Sequence, residues 1–377
     1  MKTITKNMPI ISIVLPVFNG ETYLSESIES IISQSFNDWE LIIVDDCSTD
    51  STPQIISRYK AADKRIRFIR NEENKRLPES LNIGFRNAYG EYYTWTSDDN
   101  IFEVEALSEM KNFLDSHKDA PMVVANMACI DAIGERINDR GIFRNEKMAL
   151  NNYVGACFLY RADVAKRVGE YNNNLFLIED YDYWLRIIEL FGPLSHLDKY
   201  LYRYRVHKNS LTGKRLSDIR KKLNELRRSK LELLINIANG EQEWIVRLFC
   251  ELAEMGCVTD EEKSLFNKKS FIIRHIISYD AKKPSVIYGA GMFGTMLGRR
   301  IDNVKYYIDK SSDKVGKRIN DIKVISIDSI CDLSKEYQII VALNTYSIYS
   351  ALKELCEMGI DKLCIIQTIM TQTGEML

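Results

Sequence analysis

Short, mostly apolar runs alternate with helix-like segments along the N-terminal part of the chain. Each run has the length of a strand, and the segments between them carry apolar residues every three or four positions, as on one face of a helix. The predicted strands are residues 10–15, 39–44, 66–69 and 91–96, and the predicted helices are residues 23–32, a segment from residue 51 onwards, and residues 79–88. Buried strands joined by helices indicate a mainly parallel, doubly wound α/β sheet.

Polar side chains gather where these strands end. Asn19 follows the first strand, Asp45 and Asp46 follow the second, and Asp98 and Asp99 follow the fourth. Ligands of such sheets bind beyond the carboxyl ends of the strands, so we expect these residues to lie close together. Adjacent carboxylates repel each other and resist burial. A divalent cation that also binds substrate phosphates would neutralise their charge. The pattern predicts a metal–diphosphate site, and the simpler alternative is a solvated acidic turn.

The C-terminal part of the chain repeats the strand–helix alternation around a glycine motif. Gly289, Gly291 and Gly294 form GxGxxG directly after an apolar run, and the next predicted strand ends in Asp309. This context is typical of a dinucleotide-binding fold, although the glycines could serve only the tight strand-to-helix turn. The predicted elements are strands at 285–288, 304–308, 323–325 and 338–343 and helices at 295–301 and 346–358.

Length and composition bound the organisation of the molecule. The chain has 377 residues, 45% hydrophobic and 28% charged, with a net charge of −2. Its length predicts more than one domain, and its near-neutral charge gives no attraction towards nucleic acid. Residues 9–17 are too short an apolar stretch to span a bilayer, and the eight cysteines form no CxxC pair, so we expect a cytoplasmic protein with reduced thiols.

A long amphipathic helix is predicted at residues 216–237, and residues 241–280 continue helically. Its polar face is strongly basic, with Arg215, Arg220, Lys221, Lys222, Arg227, Arg228 and Lys230. Such a face is usually solvated or packs against the protein's own acids. The alternative is peripheral contact with an anionic membrane at its inner face.

Motifs in three ordered segments identify a family resemblance over residues 9–212. The segments are PVFNGETYLSESIESIISQSFNDWELIIVDDCSTDST at 16–52, GEYYTWTSDDN at 90–100 and LIEDYDYWLRI at 177–187. Together they resemble the family-2 glycosyltransferases of the GT-A fold. The resemblance implies a GT-A nucleotide-diphospho-sugar transferase domain at 1–212, followed by a helical linker at 213–282. Residues 283–377 resemble the Rossmann-like α/β domain of sugar-modifying enzymes. This domain either binds a second nucleotide at Gly289, Gly291, Gly294 and Asp309 or has a docking or scaffold role.

The resemblance also implies which residues hold the donor. Asp46 matches the position that accepts a hydrogen bond from the base ring, which favours a UDP-linked sugar. The alternative is that Asp45 and Asp46 cap the next helix. Asp99 matches the metal ligand for Mn²⁺ or Mg²⁺, with His207 beside it. The donor-binding residues are expected to be Pro16, Val17, Phe18, Asn19, Glu21, Asp45, Asp46, Arg76, Asn82 and Asp98.

The segment at 177–187 carries the residues that would act on the acceptor. Asp180 aligns with the family's general base, Glu179 would orient it, and Trp184 is expected in the core or as an acceptor platform. Acids are favoured at a helix N-terminus in any case. There we expect Asp180 to stay ionised at neutral pH and therefore to be a weak base.

The resemblance implies an inverting, metal-dependent transfer of a sugar from a nucleotide sugar to a hydroxyl of a glycan or lipid-linked acceptor in surface polysaccharide synthesis. Two alternatives stay open at the level of sequence. One is nucleotidyl transfer, which uses similar metal–phosphate chemistry. The other is a non-catalytic nucleotide-binding scaffold dominated by the C-terminal domain.

Overall fold

The computed structural model of the protein describes residues 8–140, 143–208, 215–367 and 369. The chain forms two compact units, Met1–Leu223 and Asn224–Leu377. Among the described residues, no helix combines the length and the apolar character needed to cross a bilayer.

The first unit is built on a mixed sheet with helices on both faces. In the described part of the chain its strands are β1 Ile11–Val17, β2 Trp39–Asp45, β3 Ile66–Arg70, β4 Tyr92–Trp95, β5 Ile101–Phe102, β6 Met122–Ile130, β7 Arg136–Asp139, β8 Phe158–Arg161 and β9 Ser195–Arg205. Their order is β3-β2-β1-β4-β8-β6-β9-β5, with β7 paired to β6. The α/β fold class predicted from the sequence is confirmed.

Strands β1 to β4 pair in parallel, as predicted, but the rest of the sheet does not follow that pattern. Strand β8 runs antiparallel to both β4 and β6, and β5 and β7 are also antiparallel to their neighbours. In the described part of this second half only β6 and β9 pair in parallel, so the prediction of a mainly parallel sheet holds fully for the first half and in part for the second. Strand β7 is an exposed edge, which antiparallel pairing tolerates.

Six α-helices accompany this sheet in the part that the structure describes: α1 Leu24–Ile32, α2 Thr52–Ala62, α3 Arg76–Arg86, α4 Ala106–Ser116, α5 Ala162–Val168 and α6 Glu179–Phe191. The next helix, α7 Leu216–Ser229, begins in the first unit and ends in the second. Helices α1 and α4 pack on one face of β1 in a continuous apolar cluster with Ile11, Ile13 and Leu15. Helix α3 lies on the opposite face, where a Cβ at Gly84 would come 2.3 Å from a methyl group of Val14. This close packing brings the start of α3 to the ends of β1 and β2.

The second unit contains a smaller sheet with a parallel core. Its helices are α8 Leu231–Ile237, α9 Gln242–Glu254, α10 Asp260–Lys269, α11 Phe271–Arg274, α12 Met292–Leu297, α13 Ile330–Glu336 and α14 Ile348–Glu357, and its strands are β10 Ser285–Tyr288, β11 Val304–Asp309, β12 Arg318–Ile319, β13 Ile322–Ser326, β14 Gln338–Val341 and β15 Leu363–Ile365. The strand order is β12-β13-β11-β10-β14-β15. Without the antiparallel β12, this is the 3-2-1-4-5 order of doubly wound dinucleotide-binding folds.

The predicted helix at 216–237 is divided at Lys230, between α7 and α8. Several cations on its basic face are held by the protein itself, among them Arg215, which pairs with Asp218. Lys222 donates to the carbonyl oxygens of Asn174 and Phe176, Arg227 pairs with Glu251, and Arg228 pairs with Glu262. These contacts match the interpretation of a basic face packed on the protein's own acids and carbonyls, and they leave less charge for a membrane.

Helices α8 to α11 belong to the same compact unit as the second sheet. The predicted division into 1–212, 213–282 and 283–377 separates these helices from that sheet. This division stays a prediction.

The glycine motif offers a test of what its residues do. A Cβ at Gly294 would lie 1.8 Å from the carbonyl oxygen of Gly289, whereas a Cβ at Gly291 would meet nothing within 4 Å. We expect Gly294→Ala to cost about 1–3 kcal/mol through overpacking. Gly291→Ala should stay within about 0.5 kcal/mol of the unchanged chain. Scanning calorimetry of the full chain measures both, and equal losses from the two variants would contradict the packing argument.

Candidate active site

Two strand-end loops meet at Gly20. The carboxylate of Asp98, which follows β4, stands so close to Gly20 that a Cβ there would come 2.0 Å from Asp98 Oδ2. Only glycine fits this approach. The predicted meeting of the loops after β1 and β4 is therefore present in the structure.

The loops after β1 and β2 are joined by a set of short hydrogen bonds. The backbone N–H of Asn19 donates to Ser48 Oγ at 2.9 Å, and Asn19 Oδ1 accepts from the backbone of Thr49 at 2.8 Å. Glu21 accepts from the backbone of Ser51 at 2.9 Å, and Asp46 N–H donates to the carbonyl of Val17 at 2.8 Å. These bonds fix the predicted donor-binding loops against each other.

The predicted wall residues differ in accessibility. Pro16 and Val17 are buried within β1, whereas Phe18 is 50% exposed and Asn19 is also exposed. Asn19 has a positive φ of 53°, which turns the chain sharply after Phe18. Phe18 and Asn19 can thus meet a ligand, while Pro16 and Val17 support them from within the sheet.

Asp46 is only 4% exposed, and both of its oxygens already accept hydrogen bonds. Oδ1 accepts from Asn71 Nδ2 and from the backbone of Lys75, both at 2.7 Å, and Oδ2 accepts from the backbone of Arg76 at 2.8 Å. The carboxylate therefore holds the start of α3, so the capping alternative applies, though to α3 and not to the helix that follows directly in sequence. The carboxylate still has a free lone pair that could accept a hydrogen bond from a nucleotide base. Recognition of the base by Asp46 therefore stays a prediction.

Asp45 and Asn82 are both structural in this fold. Asp45 is fully buried, accepts from the backbone of Ser48 at 2.9 Å and lies 3.3 Å from the guanidinium of Arg70. Both ends of the Asn82 amide bond the backbone of Tyr171, at 2.8 and 2.9 Å. The polar atoms of Asn82 tie α3 to the loop before α6, and its place in the nucleotide pocket stays a prediction.

Arg76 joins two parts of the site. Its backbone N–H bonds Asp46, its φ of 68° is unusual for a side chain of this size, and its exposed guanidinium lies 5.5 Å from the ring centre of Phe176. Phe176 shortly precedes Asp180 in the chain. The loop held by Asp46 therefore contacts the loop that leads into α6.

Asp98 and Asp99 are partly withdrawn from water side by side. Burial and the charge of Asp99 raise the pKa of Asp98 to about 7. Asp99 Oδ2 lies 3.0 Å from His207 Nε2, and Asp99 Oδ1 is buried with no hydrogen-bond partner. A carboxylate oxygen left unsatisfied next to an imidazole nitrogen is a suitable donor set for Mn²⁺ or Mg²⁺.

A metal here would need further ligands from a substrate. Within the residues that the structure describes, no three or more His, Cys, Asp or Glu side chains are grouped to hold a metal ion alone. Diphosphate oxygens commonly complete such a shell. The residues present fit a metal that arrives with its phosphates.

Helix α1 holds the backbone of the acidic segment, which the sequence did not reveal. Ser27 Oγ donates to the carbonyl of Ser97 at 2.9 Å, and Ser30 Oγ accepts from the backbone of Phe102 at 3.2 Å. Gln34 completes the series by donating to the carbonyl of Glu103 at 2.8 Å. These three buried side chains lie on one face of the helix, so the segment that carries Asp98 and Asp99 is bound along its length.

Arg205 is a second residue that sequence reasoning missed. Its side chain is 1% exposed, and it pairs with Glu26 of α1 at 2.5 Å. Its Nε donates to the carbonyl of Asp99 at 2.9 Å, and its remaining nitrogen donates to the carbonyls of Asp131 and Ala132 at 3.2 Å. The only signal in the sequence was that Arg205 lies two residues before His207, the candidate metal ligand, in an alternating strand pattern.

The environment of Asp180 differs from the predicted one. Burial raises the pKa of Asp180 above that of an ordinary aspartate, against hydrogen bonds from Tyr181 and Asn152 that lower it. Burial and the charge of Asp180 raise the pKa of Glu179, which is 3% exposed. Asp180 is therefore a stronger base than the sequence predicted, since desolvation outweighs the helix dipole.

Trp184 is buried in the core. It is 0% exposed and packs against Phe158, with ring centres 4.6 Å apart, and against Tyr160 at 6.1 Å. This packing fits the core alternative, and an acceptor-platform role stays a prediction. The task of Trp184 is to seat α6, and with it Asp180, on β8.

In the second unit, Asp309 is engaged by the protein. Its oxygens accept from the backbones of Ala290 and Ser311, both at 2.9 Å, and from Lys314 Nζ at 3.0 Å. The acid expected to face a ribose thus stabilises the glycine loop. A nucleotide role for Gly289, Gly291, Gly294 and Asp309 stays a prediction.

Comparison with known proteins gives a consistent assignment. Residues 12–169 match the model of the family described as glycosyl transferase family 2. The putative glycosyltransferase EpsE of Bacillus subtilis is 30% identical over 283 residues, which cover 71% of this chain and 98% of EpsE. The putative teichuronic acid biosynthesis glycosyltransferase TuaG of the same organism is 25% identical, over 54% of this chain and 82% of TuaG.

Two further matches are more limited. An uncharacterized protein of Sinorhizobium fredii is 30% identical over 53% of this chain, but the chain spans only 23% of that relative. Among solved structures, the mannosyltransferase PcManGT of Pyrobaculum calidifontis, in complex with GDP-Man and Mn²⁺, superposes with a TM-score of 0.50 at 14% identity, over 70% of this chain and 80% of that one. This last likeness concerns the fold alone.

The acidic pair should make the metal-free protein less stable. Asp98→Asn removes one of two neighbouring, partly buried charges while keeping the side-chain shape, so we expect the melting temperature in EDTA to rise, by roughly 2–4 °C for each kcal/mol regained. The exposed Asp119→Asn serves as the matched control and should change little. Thermal denaturation at neutral pH measures both, and a lower melting temperature for Asp98→Asn would contradict the repulsion.

Proposed function

The chain belongs to glycosyl transferase family 2, and we propose that it is a metal-dependent, inverting enzyme that moves a sugar from a UDP-linked donor to an acceptor hydroxyl. The observation that carries this proposal is the meeting of three loops. Asp98 stands over Gly20, and Arg76 links Asp46 to Phe176 ahead of Asp180. The donor-binding and base-carrying segments are thereby neighbours in one unit.

Asp99 and His207 would hold the metal. The buried, unpartnered Asp99 Oδ1 and the adjacent imidazole nitrogen support this assignment. A divalent cation bound there supplies charge neutralisation for the departing nucleoside diphosphate. Arg205 fixes the backbone of Asp99, and Asp98 would accept from ribose or from water.

Asp180 would act as the general base. It takes the proton of the acceptor hydroxyl while that oxygen forms a bond to the anomeric carbon and the bond from that carbon to the diphosphate oxygen breaks. Single displacement inverts the anomeric configuration. A raised pKa makes Asp180 a stronger base than an exposed aspartate, which suits proton transfer at neutral pH. Glu179, neutralised by the same burial, would orient it.

We further propose that the acceptor is a glycan or lipid-linked glycan in surface polysaccharide synthesis, used in the cytoplasm or at the inner membrane face. The name of the relative TuaG supports the polysaccharide context. The second unit would be a Rossmann-like domain with a docking role, because Asp309 is already engaged within the glycine loop.

A panel of nucleotide sugars tests the donor and metal assignments. We expect a UDP-sugar to raise the melting temperature of the full chain only when Mn²⁺ or Mg²⁺ is present. Asp99→Ala should lose this metal-dependent stabilisation. The exposed Asp119→Ala, which removes an acid away from the site, is the matched control and should keep it. Equal stabilisation of the two variants would contradict the metal assignment.

Turnover separates the candidate reactions. Asp180→Asn should bind the donor normally and lower the rate of UDP release by about 10²–10⁴-fold, because the general base is lost. Release of pyrophosphate from a nucleoside triphosphate would indicate nucleotidyl transfer instead. Near-normal UDP release by Asp180→Asn would overturn the assignment of the base.

A further inference from the structure

Asp180 has a hydrogen-bond partner that neither the motif nor the family match identifies. Asn152 Nδ2 donates to Asp180 Oδ2 at 2.6 Å. The other Asp180 oxygen accepts from the backbone N–H of Tyr181 at 2.7 Å. The orientation of the Asn152 amide is fixed, because its Oδ1 accepts from the backbone of Val154 at 3.1 Å and its nitrogen must then face the carboxylate.

The loop that carries Asn152 is held in place by two contacts. Gly155 has a φ of 70°, and a Cβ there would come 2.0 Å from Met127 Cε, so the loop packs directly on β6. In addition, the guanidinium of Arg140 donates to the carbonyl of Asn152 at 3.4 Å and lies 5.7 Å from the ring centre of Tyr204. Asn152 is therefore a fixed donor on a packed loop.

Charged and titratable groups from several elements face Asp180. Glu179 precedes Asp180 on α6. The positive charge of Lys222 on α7 lowers the pKa of Glu179, against the larger effect of burial, which raises it. Arg140 contributes a favourable positive charge. Burial raises the pKa of the Tyr171 phenol, and the charge of Asp180 adds to that effect. These groups interact with Asp180 through charge. Asn152, which is neutral, donates a hydrogen bond directly to its carboxylate.

We propose that Asn152 is a positioning residue for the general base. By occupying one lone pair of Oδ2, it fixes the carboxylate so that the acceptor hydroxyl approaches the remaining one, and it favours the ionised form that can take a proton. This inference rests on the proposed function, in which Asp180 is the base.

The direct test is the titration of Asp180 in the full chain. Carbon-13 NMR of chains labelled at the aspartate carboxyl carbons gives the pKa of Asp180, with the resonance assigned through Asp180→Asn. A hydrogen bond to a charged group lost in Asn152→Ala should raise that pKa by about one to two pH units. Asn152→Asp should raise it further, because a second carboxylate then faces the first.

Kinetics should follow the same order. Only ionised Asp180 accepts a proton, so UDP release falls as the pH drops through its pKa, and a raised pKa moves this acid limb to higher pH. The assay uses the UDP-sugar found in the panel. The acid limb should occur at the lowest pH for the unsubstituted protein, at a higher pH for Asn152→Ala and at the highest pH for Asn152→Asp. The donor KM should change less than kcat. Asn112→Asp adds the same charge on the exposed face of α4 and should leave the limb unchanged.

The outcomes distinguish this proposal from the broader one. If Asp180→Asn abolishes turnover while both Asn152 variants leave the Asp180 pKa and the acid limb unchanged, the role of Asn152 is overturned and the transferase proposal stands. If Asp180→Asn keeps its turnover, the base assignment itself fails. A variant with a lower melting temperature but an unshifted limb would show that Asn152 only supports the fold.

Discussion

Two adjacent carboxylates at the end of β4 are held where burial and their mutual repulsion both disfavour charge. Asp98 and Asp99 are both partly withdrawn from water, and the pKa of Asp98 is raised to about 7 as a result. Such a segment would relax outwards unless its backbone were held. Ser27, Ser30 and Gln34 of α1 hold it by hydrogen bonds, and the buried Arg205 binds the carbonyl of Asp99. The fold thus keeps a charge arrangement that a cation with its phosphates would relieve.

The same balance between burial and charge decides the chemistry at Asp180. A helix N-terminus favours a carboxylate by typically 0.3–1 kcal/mol, whereas taking an ion out of water costs several kcal/mol. Desolvation therefore prevails, and the pKa of both Glu179 and Asp180 is raised. The donor hydrogen bond from Asn152 returns part of that cost. A base produced in this way is stronger than a solvated aspartate and still ionised near neutral pH.

Local patterns in the sequence were sufficient for the parallel half of the first sheet and for the placement of the acids at its edge. They did not reveal contacts that depend on a distant partner. Asn82 bonds the backbone of Tyr171, Trp184 packs on Phe158, and Asp46 reaches the start of α3, none of which is encoded by spacing. Arg205 and Asn152 were missed for the same reason, since their partners lie far away in the chain. The second half of the sheet, with its mixed parallel and antiparallel pairs, likewise depends on long-range pairing.

The glycine motif of the second unit shows how a sequence signature can be explained without its usual ligand. Gly294 is required because its Cα packs against the carbonyl of Gly289, and Gly289 has a φ of 106° beside the carbonyl of Ala342. Asp309 bonds the backbone of Ala290 within the loop that these glycines form. The strand-to-helix turn therefore accounts for two of the three glycines and for the acid. Only Gly291, with open space before it, has no structural explanation, so the motif is better evidence for this turn than for a bound nucleotide.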